Sequence, residues 1–315
     1  AAQGARQQTA GLVDLCLKRT GAQSELFCQK RADLFYLLVY VGCHERRGKS
    51  FAWQPQSLWP AQVRKVSNRC MLNTVLHDGP GAVPLLIAHG LFGSARNWGV
   101  VAKKLSETRP VITVDMRNHA DSPWFDSHSY PDMAADLAQV MDRPMDVLGH
   151  SMGGKAAMVL AVQRPDLVRK LIVGDIAPVA YTHDQHGPIA AMRRVRLSAV
   201  TSRAEAKAQL GDLEPGVADF LLQSLDMKDK CWRLNLDVLQ AEMDRIIGFP
   251  QLDGQFDGPA FFLSGAKSDY VTAAYRAPIK ALFPNAVFAK IPDAGHWLHA
   301  EKPREFIGSV AAFLG

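Results

Sequence analysis

The stretch Gly149-His150-Ser151-Met152-Gly153-Gly154 constrains this chain most. The short apolar segment Met145 to Leu148 leads into it and the helix-compatible run Lys155 to Gln163 leads out, so a strand must turn sharply into a helix at Ser151. Small residues at 149 and 153 let strand and helix approach closely, while the turn forces the serine into a strained backbone conformation. The pattern predicts a serine hydroxyl standing alone above the carboxyl end of a sheet. The Met152 amide, at the positive end of the following helix, is then free to hold an oxyanion.

The flanking sequence reads as the sheet that such an elbow sits on. Val83 to Ala88, Val111 to Val114, Met145 to Leu148, Leu171 to Gly174, Ala260 to Leu263 and Val287 to Ile291 are short apolar strand segments. Helical stretches near 96–106 and 131–142 lie between them, Arg69 to His77 alternates like a further strand, and Pro303 to Leu314 reads as a closing helix with proline in its first turn. Strands alternating with helices predict an α/β architecture with a doubly wound, mostly parallel sheet, which binds ligands at the carboxyl ends of its strands. The alternation stops over residues 176–249. There Ile189 to Val200, Arg203 to Leu210, Val217 to Leu225 and Leu236 to Ile247 read as helices, too long an insertion for a plain connection and so a helical cap.

Residues 1–65 show neither helical nor strand periodicity, and are expected to be an extension, disordered or loosely docked, outside a catalytic domain of residues 66–315. Its acids Asp14, Glu25 and Asp33 argue against a mitochondrial targeting arm. The basic character belongs to this end, with ten Lys/Arg against four acids over residues 1–68 in a chain of net charge +5, so no nucleic-acid partner is implied. The five cysteines form no CxxC or Cys/His cluster, and no metal or other cofactor is expected. With one cysteine after residue 70, the main body suits a reducing compartment, and a cytoplasmic location is the expectation, or a mitochondrial one for a eukaryotic homologue. The longest apolar run, Leu34 to Gly42, is too short to cross a bilayer, so no stable membrane insertion is expected.

A serine nucleophile needs a base. His296, in Pro292-Asp293-Ala294-Gly295-His296-Trp297 between the last strand and the closing helix, has the right chain order after the serine. His89, His119 and His150 lie in turns near the same edge, where local hydrogen bonding accounts for them, and His299 reads as a surface residue. A second oxyanion donor is expected from His89-Gly90-Leu91-Phe92-Gly93-Ser94, with the Leu91 amide joining Met152 and Phe92 packing against an acyl chain. Apolar cap positions such as Leu222 and Leu225 are the candidate substrate contacts. Two aspartates compete as the triad acid: Asp175, ending one strand, and Asp269, just after the next. Asp237 opens a cap helix, where stabilising the helix N-terminus is its default role.

Five ordered motifs now carry a resemblance. HGLFGS (89–94), DMRNHADSP (115–123), GHSMGGK (149–155), DIAPV (175–179) and AGHWLHAEKP (294–303) resemble the α/β-hydrolase superfamily, in particular its small bacterial acyl esterases and their mitochondrial animal relatives. The likeness runs from about residue 70 to the end. It implies an α/β-hydrolase fold, and it implies that the aspartate of the DIAP motif, Asp175, is the acid. In many other hydrolases the acid follows the next strand at the place that Ser268 holds here, one position before Asp269. One departure is Ala120, where the family usually keeps glycine. The expected function is a serine carboxyl-ester hydrolase acting on short to medium acyl esters through an acyl-enzyme, with a small-molecule ester as its partner and no cofactor. The same machinery also fits a thioesterase, an amidase or a carbon–carbon bond hydrolase. A non-catalytic ligand sensor on the same fold is the reading from a different class.

Overall fold

A computed structural model describes residues 71–182 and 185–315; the extension expected over 1–65 lies outside the described residues. In chain order the strands are β1 (Thr74–His77), β2 (Leu85–Ala88), β3 (Val111–Val114), β4 (Met145–His150), β5 (Val168–Gly174), β6 (Leu225–Asp226), β7 (Cys231–Trp232), β8 (Ala260–Gly265) and β9 (Ala286–Ile291). Seven of them form one sheet in the order β1-β3-β2-β4-β5-β8-β9. Every pairing in it is parallel except that of β1 with β3. This is the mostly parallel, doubly wound sheet that the alternation of segments predicts, and its order suits the α/β-hydrolase fold that the resemblance implies.

Helices cover both faces. α1 (Gly99–Leu105), α2 (Tyr130–Val140) and α3 (Met152–Gln163) connect the early strands, while α9 (Arg276–Leu282), α10 (Leu298–Glu301) and α11 (Pro303–Leu314) complete the domain. Side chains on a strand point alternately to opposite faces, and the buried residues divide accordingly. Leu86, Val147, Leu171 and Phe262 join the larger core with α2, α3 and the cap. Leu85, Leu148, Ile172 and Phe261 join a second core with Trp98, Val101, Phe306 and Val310.

Between β5 and β8 lie α4 (His186–Arg194), α5 (Arg203–Leu210), α6 (Val217–Leu222), α7 (Leu236–Ala241) and α8 (Met243–Ile247). The expected all-helical cap needs correction in three places. α4 stops at Arg194 because Val195 turns extended, with φ −69° and ψ 116°. The helix expected to reach Leu225 ends at Leu222, and Leu225 instead pairs with Trp232 in the two-stranded ribbon β6–β7. Asp226 closes that ribbon, its Oδ1 accepting from the Lys228 and Asp229 amides at 2.9 Å each. A short apolar run does not distinguish a helix end from a strand, which is why the ribbon was hidden. The helix expected over 236–247 breaks at Glu242 into α7 and α8. Among the described residues no helix is long and apolar enough to cross a membrane.

Candidate active site

Ser151 sits at the tip of the β4–α3 turn with φ 52° and ψ −122°, a conformation L-residues rarely adopt. Neighbouring glycines make the turn possible. A Cβ on Gly149 would lie 2.2 Å from the Gly153 carbonyl oxygen, and one on Gly153 would lie 2.4 Å from that of Ala88. The turn is pinned by the Ser151 amide, which donates to Gly174 O at 3.0 Å.

His296, on the loop after β9, places Nε2 3.1 Å from Ser151 Oγ and Nδ1 2.8 Å from Asp175 Oδ2. The Asp175 carboxylate is fully buried, and its backbone is held at φ 50° just past β5. Its Oδ1 accepts from the Gly265 amide at 3.0 Å, and its Oδ2 also accepts from the Ser268 hydroxyl at 2.5 Å. Position 268, where many related folds carry the acid itself, thus contributes a hydroxyl to a carboxylate on the neighbouring strand. Asp269 is exposed. Asp237 is exposed as well, ion-paired with Arg193 at 2.5 Å. The structure therefore brings Ser151, His296 and Asp175 into one hydrogen-bonded line and leaves the other two aspartates at the surface.

The imidazole of His296 is stacked on the ring of Tyr270, with centroids 4.0 Å apart and planes 20° from parallel. Behind it, His150 Nε2–H donates to the His296 carbonyl at 2.8 Å, bracing the loop that carries His296. Burial, together with neighbouring His299 and His296, holds His150 well below the usual imidazole range. A neutral ring suits this donor role. His299, expected at the surface, is instead buried at 9% exposure and stacked on Trp98 with centroids 4.3 Å apart. Burial pushes its pKa down to about 3.

The loop after β2 lies beside the serine. Of its amides, that of Phe92 donates to His119 Nε2 at 3.1 Å and that of Gly93 to Gly90 O at 3.0 Å. The Leu91 amide has no acceptor among the described residues. Met152 is the first residue of α3, where an N–H has no partner within the helix. Met152 directly follows Ser151, and the oxyanion-loop backbone comes close as well, since a Cβ on Gly90 would lie 3.2 Å from Ser151 Cβ. Phe92 is buried in the larger core at 5% exposure, with φ 62°. The cap rests on this loop: the Ser224 hydroxyl donates to Phe92 O at 3.2 Å, and Asn97 Nδ2 donates to Gln223 Oε1 at 2.6 Å. Leu222 and Leu225 are buried on either side of these contacts. Leu222 also lines a surface groove of about 410 Å³ with Arg96, Arg203, Lys207 and Asp219.

Sequence reasoning missed two further groups. Lys155, one turn beyond Ser151, is buried, and its Nζ donates to Ile247 O at 2.8 Å and Gly248 O at 2.5 Å where the cap returns to the sheet. Burial lowers it to about 7. His128 is buried beneath the elbow, its Nε2 3.2 Å from Met152 Sδ. His89 and His119 make the expected local bonds, from Nδ1 to Gly90 O and to Arg117 O at 2.8 Å each, but their other nitrogens reach further, and His89 Nε2 accepts from the Met116 amide at 2.9 Å across 27 residues. Histidine in a turn carries no sequence signal of a partner so far away. Among the described residues no group of three His, Cys, Asp or Glu is arranged to hold a metal ion.

Comparison with known proteins adds independent findings. A family model described as the alpha/beta hydrolase fold matches residues 83–303. The sn-1-specific diacylglycerol lipase ABHD11 of Mus musculus is 41% identical over 256 residues, covering 76% of this chain and 83% of that protein. Esterase YbfF of Escherichia coli (strain K12) is 40% identical over 238 residues, covering 73% and 92%. A solved structure named marine microorganism esterase superimposes with a TM-score of 0.73 at 37% identity, covering 78% of this chain and all of the other.

Proposed function

The chain belongs to the α/β-hydrolase family and is a serine ester hydrolase; from that premise we propose that Ser151, His296 and Asp175 are its catalytic triad, with the Leu91 and Met152 amides as its oxyanion hole. The observation that carries this reading is the unbroken line from Ser151 Oγ to His296 Nε2 at 3.1 Å and from His296 Nδ1 to Asp175 Oδ2 at 2.8 Å. Ser151 attacks the ester carbonyl as His296 Nε2 takes its proton, and the oxygen that becomes negative collects the two free amides. His296 returns the proton to the departing alcohol. A water, deprotonated by the same nitrogen, then attacks the acyl-enzyme and releases the acid. Asp175 orients the imidazole throughout. The serine attack on a carbonyl also suits a thioester, which the same groups would process.

The acyl range follows from the cap. Residues 222–225 sit against the oxyanion loop through Ser224 and Gln223, which supports short to medium acyl groups and a role for Phe92, Leu222 and Leu225 in bounding them. The relative named sn-1-specific diacylglycerol lipase favours a second reading, a diacylglycerol with its larger leaving group. Initial rates on a p-nitrophenyl ester series from C2 to C16, set beside release of fatty acid from sn-1-labelled diacylglycerol, separate the two. A Ser151→Ala variant should lose about 10⁴-fold or more in turnover on every substrate, since triad removals cost about that much. Labelling of the wild-type protein by a fluorophosphonate at a residue other than Ser151 would refute the assignment.

A further inference from the structure

We infer that His119 is the positioning residue of the oxyanion hole, and that through it the cap holds the hole in shape. The inference rests on the reading of Leu91 and Met152 as oxyanion donors. The motif DMRNHADSP has no catalytic task in the mechanism above, yet its residues link the oxyanion loop to the cap. Asp115 Oδ1 accepts from the Ala95 amide at 2.7 Å, and the Met116 amide donates to His89 Nε2. On the other side the Asn235 amide donates to Asn118 O at 3.0 Å, and the Ala120 amide to Arg233 O at 2.7 Å. His119 itself forms an antiparallel bridge with Leu234.

His119 is where these two sets of bonds meet. Its Nδ1 lies 2.8 Å from Arg117 O, and a carbonyl only accepts, so the proton is on Nδ1 and Nε2 is left as an acceptor. That nitrogen receives the Phe92 N–H at 3.1 Å. Phe92 is held at φ 62°, a region that an aromatic residue enters only when its surroundings impose it. The bond to His119 ties down the amide after Leu91 and consumes it, which leaves the Leu91 amide as the free donor. His119 is fully buried, and the rings of His89 and His128 lie beside it at 5.1 and 5.4 Å between centroids. Burial and these two histidines hold it well below the usual imidazole range, so it remains an acceptor.

The test compares His119→Leu, which has no acceptor, with His119→Gln, whose side-chain oxygen reaches the place of Nε2. His119→Leu should lose about 10²-fold to 10³-fold in kcat with little change in KM, the range seen when an oxyanion donor is removed. Affinity for an aryl trifluoromethyl ketone, which forms the tetrahedral adduct, should fall in parallel. His119→Gln should keep kcat within about tenfold of wild type, since it restores the acceptor. Wild-type kcat and ketone affinity in a folded His119→Leu protein would overturn the inference, as would equal losses in the two variants. Should His119→Leu fail to fold, ¹⁵N imidazole spectra of the wild-type protein decide: Nδ1–H with a bare Nε2 supports the inference, and an Nε2–H tautomer overturns it. Ser151→Ala run alongside separates the two levels. Activity surviving in that variant refutes the triad reading, whereas its loss beside an unaffected His119→Leu refutes only this inference.

Discussion

Replacing Asp175 by asparagine should lower turnover about 10⁴-fold, and the structure shows why so small a change has so large an effect. The carboxylate has three donors aimed at it: the Gly265 amide on Oδ1, and the Ser268 hydroxyl and His296 Nδ1–H on Oδ2. The backbone amide of Gly265 has no freedom to reverse, so an asparagine keeps its carbonyl there and turns its NH₂ toward Ser268 and His296. Ser268 can rotate its hydroxyl to accept. His296 can accept only by moving its proton to Nε2, which then points a hydrogen at Ser151 Oγ, 3.1 Å away, and is no longer a base. The wrong tautomer in a serine triad costs about 10⁴ in kcat, which corresponds to about 5 kcal/mol of transition-state stabilisation. Asp269 is exposed, and Asp269→Asn should retain at least about a tenth of wild-type turnover, an outer charge being worth no more than that. Steady-state rates on p-nitrophenyl butyrate, with active sites titrated by a phosphonate, measure both. An Asp175→Asn enzyme with more than a tenth of wild-type kcat, or an Asp269→Asn enzyme without it, refutes the reasoning.

Three other outcomes are expected. Five buried histidines are shifted below their ordinary value by burial, His128 and His299 to about 3 and His89, His119 and His150 in the same direction, so the unfolded chain binds more protons below about pH 6.5. Their contribution is complete above that pH and is lost as pH falls, by up to about 1.4 kcal/mol per pH unit for each group; urea midpoints that stay constant from pH 7 to pH 5 would contradict this. Ala120 sits at φ 46°, so Ala120→Gly should relieve strain of about 1 kcal/mol and raise Tm by about 2–4 °C in a calorimetric scan. Lys155→Met removes the donor that Ile247 O and Gly248 O share, and should cost about 1–3 kcal/mol, read as a lower Tm together with faster proteolysis within residues 176–249.

Local chemistry made much of this protein legible in the sequence. The alternation of short apolar strands with helices fixed the fold class, because side-chain period follows backbone geometry. Glycines at 149 and 153 around Ser151 announced the elbow, since nothing larger fits where the backbone atoms come within 2.2–2.4 Å of a would-be Cβ. His296 stood out by its chain order, and in the fold it lies between Ser151 and Asp175. The cap was read as an insertion, but its ribbon was not, because Leu225 and Trp232 declare themselves a strand pair only when they meet.

What the tertiary structure decided is everything that depends on which distant residues become neighbours. Asp175 and Asp269 each follow a strand, and their sequences alone do not say which carboxylate faces the histidine loop. The order β4-β5-β8-β9 puts the end of β5 beside the elbow, and Asp175 points inward from it while Asp269 lies at the surface. The buried histidines follow the same rule. His150 reaches the His296 carbonyl across 146 residues and His119 reaches the Phe92 amide across 27, so neither bond leaves a periodic trace in the chain. Periodicity and turn chemistry record what a residue does to its own backbone. The partner of a buried polar group is chosen by the order in which strands are laid side by side, and that order exists only in the folded molecule.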